Sequence, residues 1–302
     1  MILRRLWEHD LAWSFRRSPV TVVAAALTLA CVLGALLSPW LAPQNPFDPA
    51  ALDLNAAFKP PAWVAGGERA YMLGSDNQGR DILSTLLYGA RISLGIGFAS
   101  VLLSLALGVF LGLLAGYFGG RLDAVLMRVA DVQLSFPAIL IALLIDGVAR
   151  AALSPERHDA LAIPVLILSI GLSKWVDYAR TVRGSTLVER GKEYVQAARV
   201  IGRRPLAILL GHVLPNVMGP VLVLATINVG VAIIIEATLS FLGVGVPATQ
   251  PSLGTLIRIG NNFLFSGEWW IAIFPGITLV VLVLAVNLFG DWLRDVLNPK
   301  LR

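Results

Sequence analysis

The chain has 302 residues, 57% of them hydrophobic and only 14% charged, with a mean hydropathy of +0.76. Soluble domains carry about 25% charged residues, so the composition excludes the pair of soluble domains that length alone would give and indicates a polytopic membrane protein. The net charge of +5 and pI near 9.7 fit basic residues in cytoplasmic loops and are not read as a nucleic-acid surface. The single cysteine, Cys31, cannot form an intrachain disulfide, and His9, His158 and His212 are too scattered for zinc-ligand spacing.

A helix crosses a bilayer in roughly 20 apolar residues. Residues 18–47 carry no charge, and the first span is placed at about 20–41. The N-terminus is basic and then apolar, as in a signal peptide, but its polar head is long and its apolar run is bilayer-length. It reads as a retained anchor. Residues 92–120 are also uncharged and give a second span at about 92–118. The uncharged stretches 132–145 and 160–173 are shorter and fit a span, a re-entrant segment or a core helix. Arg128 and Asp131 flank one of them, Lys174 and Asp177 the other, each pair one helical turn apart. Such pairs can sit at helix ends with snorkelling side chains, which favours spans at about 123–148 and 160–178. The fifth span is placed at about 217–241 and the sixth at about 270–290. Six spans put both termini on one side. Sixteen Lys and Arg fall in segments on that side (1–17, Arg121, Arg128, 179–216 and 291–302) and 7 in segments on the other. The bias predicts cytoplasmic termini.

The outside segment 42–91 starts irregular, with Pro43, Pro46, Pro49, Pro60 and Pro61. In "GSDNQGRDILSTLLYGAR", Gly74 and Gly79 have the gap of a phosphate loop, but Arg80-Asp81 stands where Lys-Ser/Thr is required, and nucleotide binding is rejected. Ile82, Leu83, Leu86 and Leu87 predict a helix from about Asp81, either lying on the membrane surface or capping the bundle. No Gly-x-Ser-x-Gly or His-Glu-x-x-His occurs. Glu236 is the deepest acid. It reads either as a proton relay or substrate contact at an outer gate, or as a group with a structural partner or in a hydrated outer vestibule.

Between the fourth and fifth spans lies "EYVQAARVIGRRPLAILLGHVLPN", Glu193 to Asn216. Tyr194, Ala197, Ala198 and Ile201 form one face of a short helix, with Glu193, Gln196, Arg199 and Arg203 opposite. Gly202 ends it by taking the left-handed conformation. Pro205 starts a second helix to Leu214, where Pro215 turns the chain into the fifth span. Helices this short need a packing partner. The segment is either a hairpin resting on its own bundle or a docking element whose alanines admit close approach.

Ala197-Ala198, Gly202 and His212-x-Leu214-Pro215-Asn216 together resemble the cytoplasmic "EAA" loop of ABC importer permeases, in the dipeptide, oligopeptide and nickel branch. "LGSDNQGRD", "EATLSFLGVG" and "WWIAIFPGITLVVLVLAVNLFGDWLRDVLNPKLR" resemble that branch's outer segment, fifth-span exit and C-terminal signature. Ser75, Thr85, Leu253 and Asn298 depart from its usual Thr, Arg, Trp and Asp. The resemblance implies an all-α membrane protein of six transmembrane helices with the type I ABC importer permease fold, located in the bacterial inner membrane. It implies one of two homologous permease subunits, two ATPase subunits below and an extracytoplasmic substrate-binding protein above. It further implies that Glu193, Tyr194, Ala197, Ala198, Gly202 and Arg203 couple to the ATPases, that His212, Leu214, Pro215 and Asn216 shape the loop, and that ATP and Mg are bound by the partners, with no cofactor or catalytic residue on this chain. Peptides are the expected cargo. Nickel or another small solute is the alternative within the branch, and an ion-coupled secondary transporter is the alternative outside it.

Overall fold

A computed structural model describes residue 15, residues 17–48 and residues 52–297, the side chains of 295–297 excepted. Most of the N-terminal tail 1–17, Pro49 and Asn298 lie outside the described residues. The described chain is helical, with no strand and one isolated bridge, Ser75 to Asp81.

The first long helix, α1 (Pro19–Leu36), starts where the Ser18 hydroxyl accepts the Thr21 amide, with Pro19 at the first helical position. A short helix, α2 (Ser38–Leu41), extends it. The segment between α2 and the next long helix is irregular but tightly bonded. Arg80 Nε donates to Asp76 Oδ2 at 2.6 Å, Asp76 Oδ1 accepts the Gln78 and Arg80 amides, and Arg80 Nη1 donates to the Ala248 carbonyl at 3.1 Å. Trp270 Nε1 donates to the Ser75 carbonyl at 3.0 Å, fastening this knot to the start of the last helix.

Asp81 caps α3 (Ile82–Phe118) by accepting from the amide and hydroxyl of Ser84. The helix expected from Asp81 therefore forms, but neither as a surface helix nor as a separate cap. It is the first part of one 37-residue helix that contains the second span. No proline interrupts residues 82–118, and one arginine does not break a helix. The third span is corrected too. It divides into α4 (Gly120–Leu134) and α5 (Ala138–Ala152), bent by 96°. Pro137 has no amide to donate to α4, and its own ψ of 135° is not helical, which ends α4 and starts α5 anew. Asp131 pairs with Arg180 rather than with Arg128, whereas Lys174 and Asp177 do pair, at 3.0 Å.

After α6 (Pro155–Ala160), α7 (Ala162–Glu189) continues well past the expected end at 178. Its charged end is satisfied by other helices. Arg183 reaches Asp123 of α4 through two bonds, at 2.5 and 2.7 Å, and Arg190, just beyond, donates to the carbonyl of Gly116 at 2.9 Å. The closest packing is between α3 and α7. A Cβ on Gly108, Gly112 or Gly116 would stand 2.4–2.6 Å from Tyr178, Ala179 or Thr186 atoms. Small residues every fourth position let the two backbones meet.

Then come α8 (Glu193–Val200), α9 (Pro205–Ile208), a π-helical turn (Leu209–Val213) and α10 (Leu214–Phe241). Pro215 does not turn the chain. The helix runs without a break from Pro205 to Phe241, because the wide π turn relieves the missing amide and the clash that a proline imposes on the preceding turn. The last helices are α11 (Leu253–Asn261) and α12 (Trp270–Leu297). Among the described residues, five helices are long and apolar enough to cross a membrane, six if the bent pair is one span.

Candidate functional site

The face that α8 turns inward differs from the expected one. Val195 and Ala198 are buried in a cluster with Val182 and Tyr178 of α7, Leu113 of α3, Val213 of the π turn and Val217 of α10. Tyr194, Ala197 and Ile201 are exposed. Val195, one turn before Ala198, was the anchor that the sequence reading passed over. Arg199, on the opposite side as expected, is exposed, and its guanidinium carbon lies 4.9 Å from the centroid of the Tyr117 ring, a cation–π contact. Glu193 and Arg203 are exposed, as expected.

Tyr194 is the crosspiece of the site. Its hydroxyl donates to the carboxylate of Glu189 at the end of α7 and accepts from Asn216 Nδ2 at 3.2 Å on α10. Asn216 also donates to the His212 carbonyl at 2.6 Å, and the His212 ring stacks on Tyr194 with centroids 6.4 Å apart and planes 17° apart. Three predicted residues, Tyr194, His212 and Asn216, thus meet in one staple, with Glu189 as a fourth that no motif announced. Partial burial and the bond to Glu189 push the Tyr194 hydroxyl up to about 12. Leu214 is packed against the same apolar cluster.

Gly202 has φ +81°. The Arg203 amide donates to the Ala198 carbonyl and the Gly202 amide to that of Arg199. This is the paired-bond helix stop that requires a left-handed residue. It leaves Val200 and Ile201 89% and 80% exposed, with Leu206 and Leu210 beyond them also exposed. A helix end anchored on one side thus offers an uncovered apolar face on the other.

Glu236 is fully buried. Ser240 Oγ donates to its Oε1 at 2.7 Å and itself accepts the Val246 amide. Nearby, Ser93 Oγ of α3 accepts the Leu253 amide, and Thr255 Oγ1 of α11 donates to the Val246 carbonyl. The acid sits beside a polar clasp that joins α3, α10 and α11.

Residues 108–302 match the family described as binding-protein-dependent transport system inner membrane component, and residues 5–61 match the N-terminal TM domain of oligopeptide transport permease C. The chain is 38% identical over 300 residues to the dipeptide transport system permease protein DppC of Haemophilus influenzae, covering 99% of this chain and 95% of that one. It is 36% identical over 300 residues to the di/tripeptide transport system permease protein DppC of Pseudomonas aeruginosa, covering 99% and 93%. The probable D,D-dipeptide transport system permease protein DdpC of Escherichia coli is 35% identical over 290 residues, covering 96% and 91%. In fold, the structure resembles a chain of the inward-facing MetNI methionine ABC transporter, with a TM-score of 0.55 and 18% identity over 71% of this chain and 96% of that one. The bundle, the loop and these relatives agree: the chain belongs to the inner-membrane components of binding-protein-dependent transport systems and is a multi-pass permease subunit of an ABC importer, a transport protein and not an enzyme.

Proposed function

We propose that this subunit forms half of the translocation pathway of an ATP-driven importer of short peptides, and that α8 is the element through which ATPase subunits move it. The observation that carries the coupling role is the two-sided α8. Val195 and Ala198 lock it to the bundle while Val200 and Ile201 stand free beyond it. The Tyr194 staple bonds α8 to Glu189 on α7 and Asn216 on α10, so a displacement of α8 would be passed to two spans together. Glu193 and Arg203 flank the free face and would orient the docked ATPase. Closure of two ATPase subunits around ATP would then bias the bundle between inward-open and outward-open states.

The partners in this reading are a homologous second permease subunit, two ATPase subunits carrying ATP and Mg, and an extracytoplasmic binding protein. The Lys and Arg bias supports cytoplasmic termini, with α8 on the same side. The dipeptide and di/tripeptide names of near-full-length relatives favour peptides over nickel. Glu236 would serve the outer gate by holding α3, α10 and α11 together.

The test is reconstitution of the chain with its ATPase subunits and binding protein in proteoliposomes. Labelled dipeptide uptake should require ATP, stop with vanadate and persist with an uncoupler. Uptake driven by an imposed proton gradient without ATP would refute the proposal.

A further inference from the structure

We propose that a groove at the outer ends of α3 and α7 receives the incoming substrate and holds a zwitterionic short peptide by its two charged ends, Arg91 taking the carboxylate and Asp159 the ammonium. This rests on the peptide reading above. Two cavities adjoin there, of about 350 and 430 Å³, and Ile163 and Gln250 line both. Each falls within the roughly 300–1,000 Å³ that small-molecule sites occupy. Of these two, Arg91 lines the first and Asp159 the second. The groove thus has a guanidinium at one end, a carboxylate at the other and an amide side chain between them.

Both charges are free to bind. Arg91 is exposed and pairs with no carboxylate among the described residues. The Asp159 side chain is 70% exposed, and the His158 imidazole has its Nδ1 3.9 Å away, beyond hydrogen-bonding distance. A planar guanidinium matches a carboxylate through two parallel bonds. Gln250 and Thr249 offer an amide and a hydroxyl to the peptide group between the termini. Beside Arg91, the Phe47 and Tyr88 rings meet edge to face, 5.0 Å apart, and form an apolar wall for a side chain. Such a groove reads free termini and tolerates varied side chains.

The experiment uses the complete complex in proteoliposomes with saturating binding protein. Three substrates are compared: a dipeptide, its C-terminal amide and its N-acetyl form. The binding protein is the same throughout, so changes in the ratio between substrates on mutating this chain belong to this chain. Arg91→Gln should lower uptake of the free dipeptide about tenfold, the order of one charge-assisted bond, and leave the amide unchanged. Arg91→Lys should restore much of the loss. Asp159→Asn should act likewise on the free dipeptide and leave the N-acetyl form unchanged. Equal losses for all three substrates, or no loss, would overturn the groove while leaving the peptide reading intact. No uptake of any of the three by the unaltered complex would overturn both. Should Arg91→Gln fail to assemble, Asp159→Asn, at an exposed position, decides alone.

Discussion

Gly202→Val tests the coupling helix at its weakest joint. A Cβ at this position would meet no atom within 4 Å. The substitution therefore adds no collision, and its whole cost is the left-handed backbone at φ +81°. For an L-residue that cost is about 1–2 kcal/mol, and a β-branched side chain tolerates the region worst. The turn can relieve the strain only by leaving positive φ, which breaks the Arg203-to-Ala198 and Gly202-to-Arg199 bonds and swings the residues after it. Val195 and Ala198 remain buried, and the spans are untouched. A penalty of 1–2 kcal/mol lowers the ratio of native to relaxed turn by a factor of about 5–30. Peptide transported per ATP hydrolysed should fall, by up to that factor, with membrane abundance unchanged. Gly202→Asn should retain most of the coupling, because asparagine enters the left-handed region readily. The assay is uptake and binding-protein-stimulated hydrolysis on the same proteoliposomes. Full coupling in the valine variant would refute the role assigned to this turn, and so would equal loss in the asparagine variant.

Four further outcomes are expected. Arg80→Met removes the partner of Asp76, both being 1% exposed. Orphaning a buried charge costs about 3–5 kcal/mol, so the purified complex should melt earlier, by a calorimetric shift that an exposed control such as Arg69→Met does not produce. The Tyr194 hydroxyl, raised from 10.0 to about 12, stabilises the staple fully below its ordinary value, and the contribution is lost as pH rises through the raised one. The alkaline stability difference between the parent and Tyr194→Phe should therefore be constant up to pH 10.0 and shrink between there and about 12. Glu236→Gln keeps the acceptor for Ser240, so ATP-driven uptake should survive in proteoliposomes; its abolition with normal assembly and hydrolysis would point to a protonic role. With Cys31 replaced by serine, a cysteine at Arg69 should react with an impermeant maleimide in intact cells and one at Lys192 should not; the reverse pattern would invert the proposed topology.

The hydrophobic spans were legible because burial in lipid leaves a mark on composition, and Gly202 because a left-handed stop admits few residue types. Helix ends were not. Arg183 reads as a loop residue in a hydropathy scan, yet it bonds across helices to Asp123 and allows α7 to continue to Glu189. The staple among Glu189, Tyr194, His212 and Asn216 joins positions up to 27 residues apart, and no local pattern encodes it. The inward face of α8 was misjudged because alanine is ambiguous there. Ala197 and Ala198 fit either side of so short a helix, and Val195 decides between them only once its neighbours are known. Gly108, Gly112 and Gly116 recur at four-residue spacing, yet drew no reading from the sequence. Their meaning depended on the partner helix that they meet.

The unbroken length of α3 has a mechanical consequence. Its 37 residues measure about 55 Å, against a hydrocarbon thickness of roughly 30 Å. One end is pinned in the Asp76–Arg80 knot, and the other accepts the Arg190 guanidinium beside the staple. A straight rod of this length, pivoting at its middle, shifts each end by about 0.5 Å per degree of tilt, in opposite directions. A tilt of about 10° would carry its two ends about 5 Å in opposite directions without a single residue along the way changing its conformation.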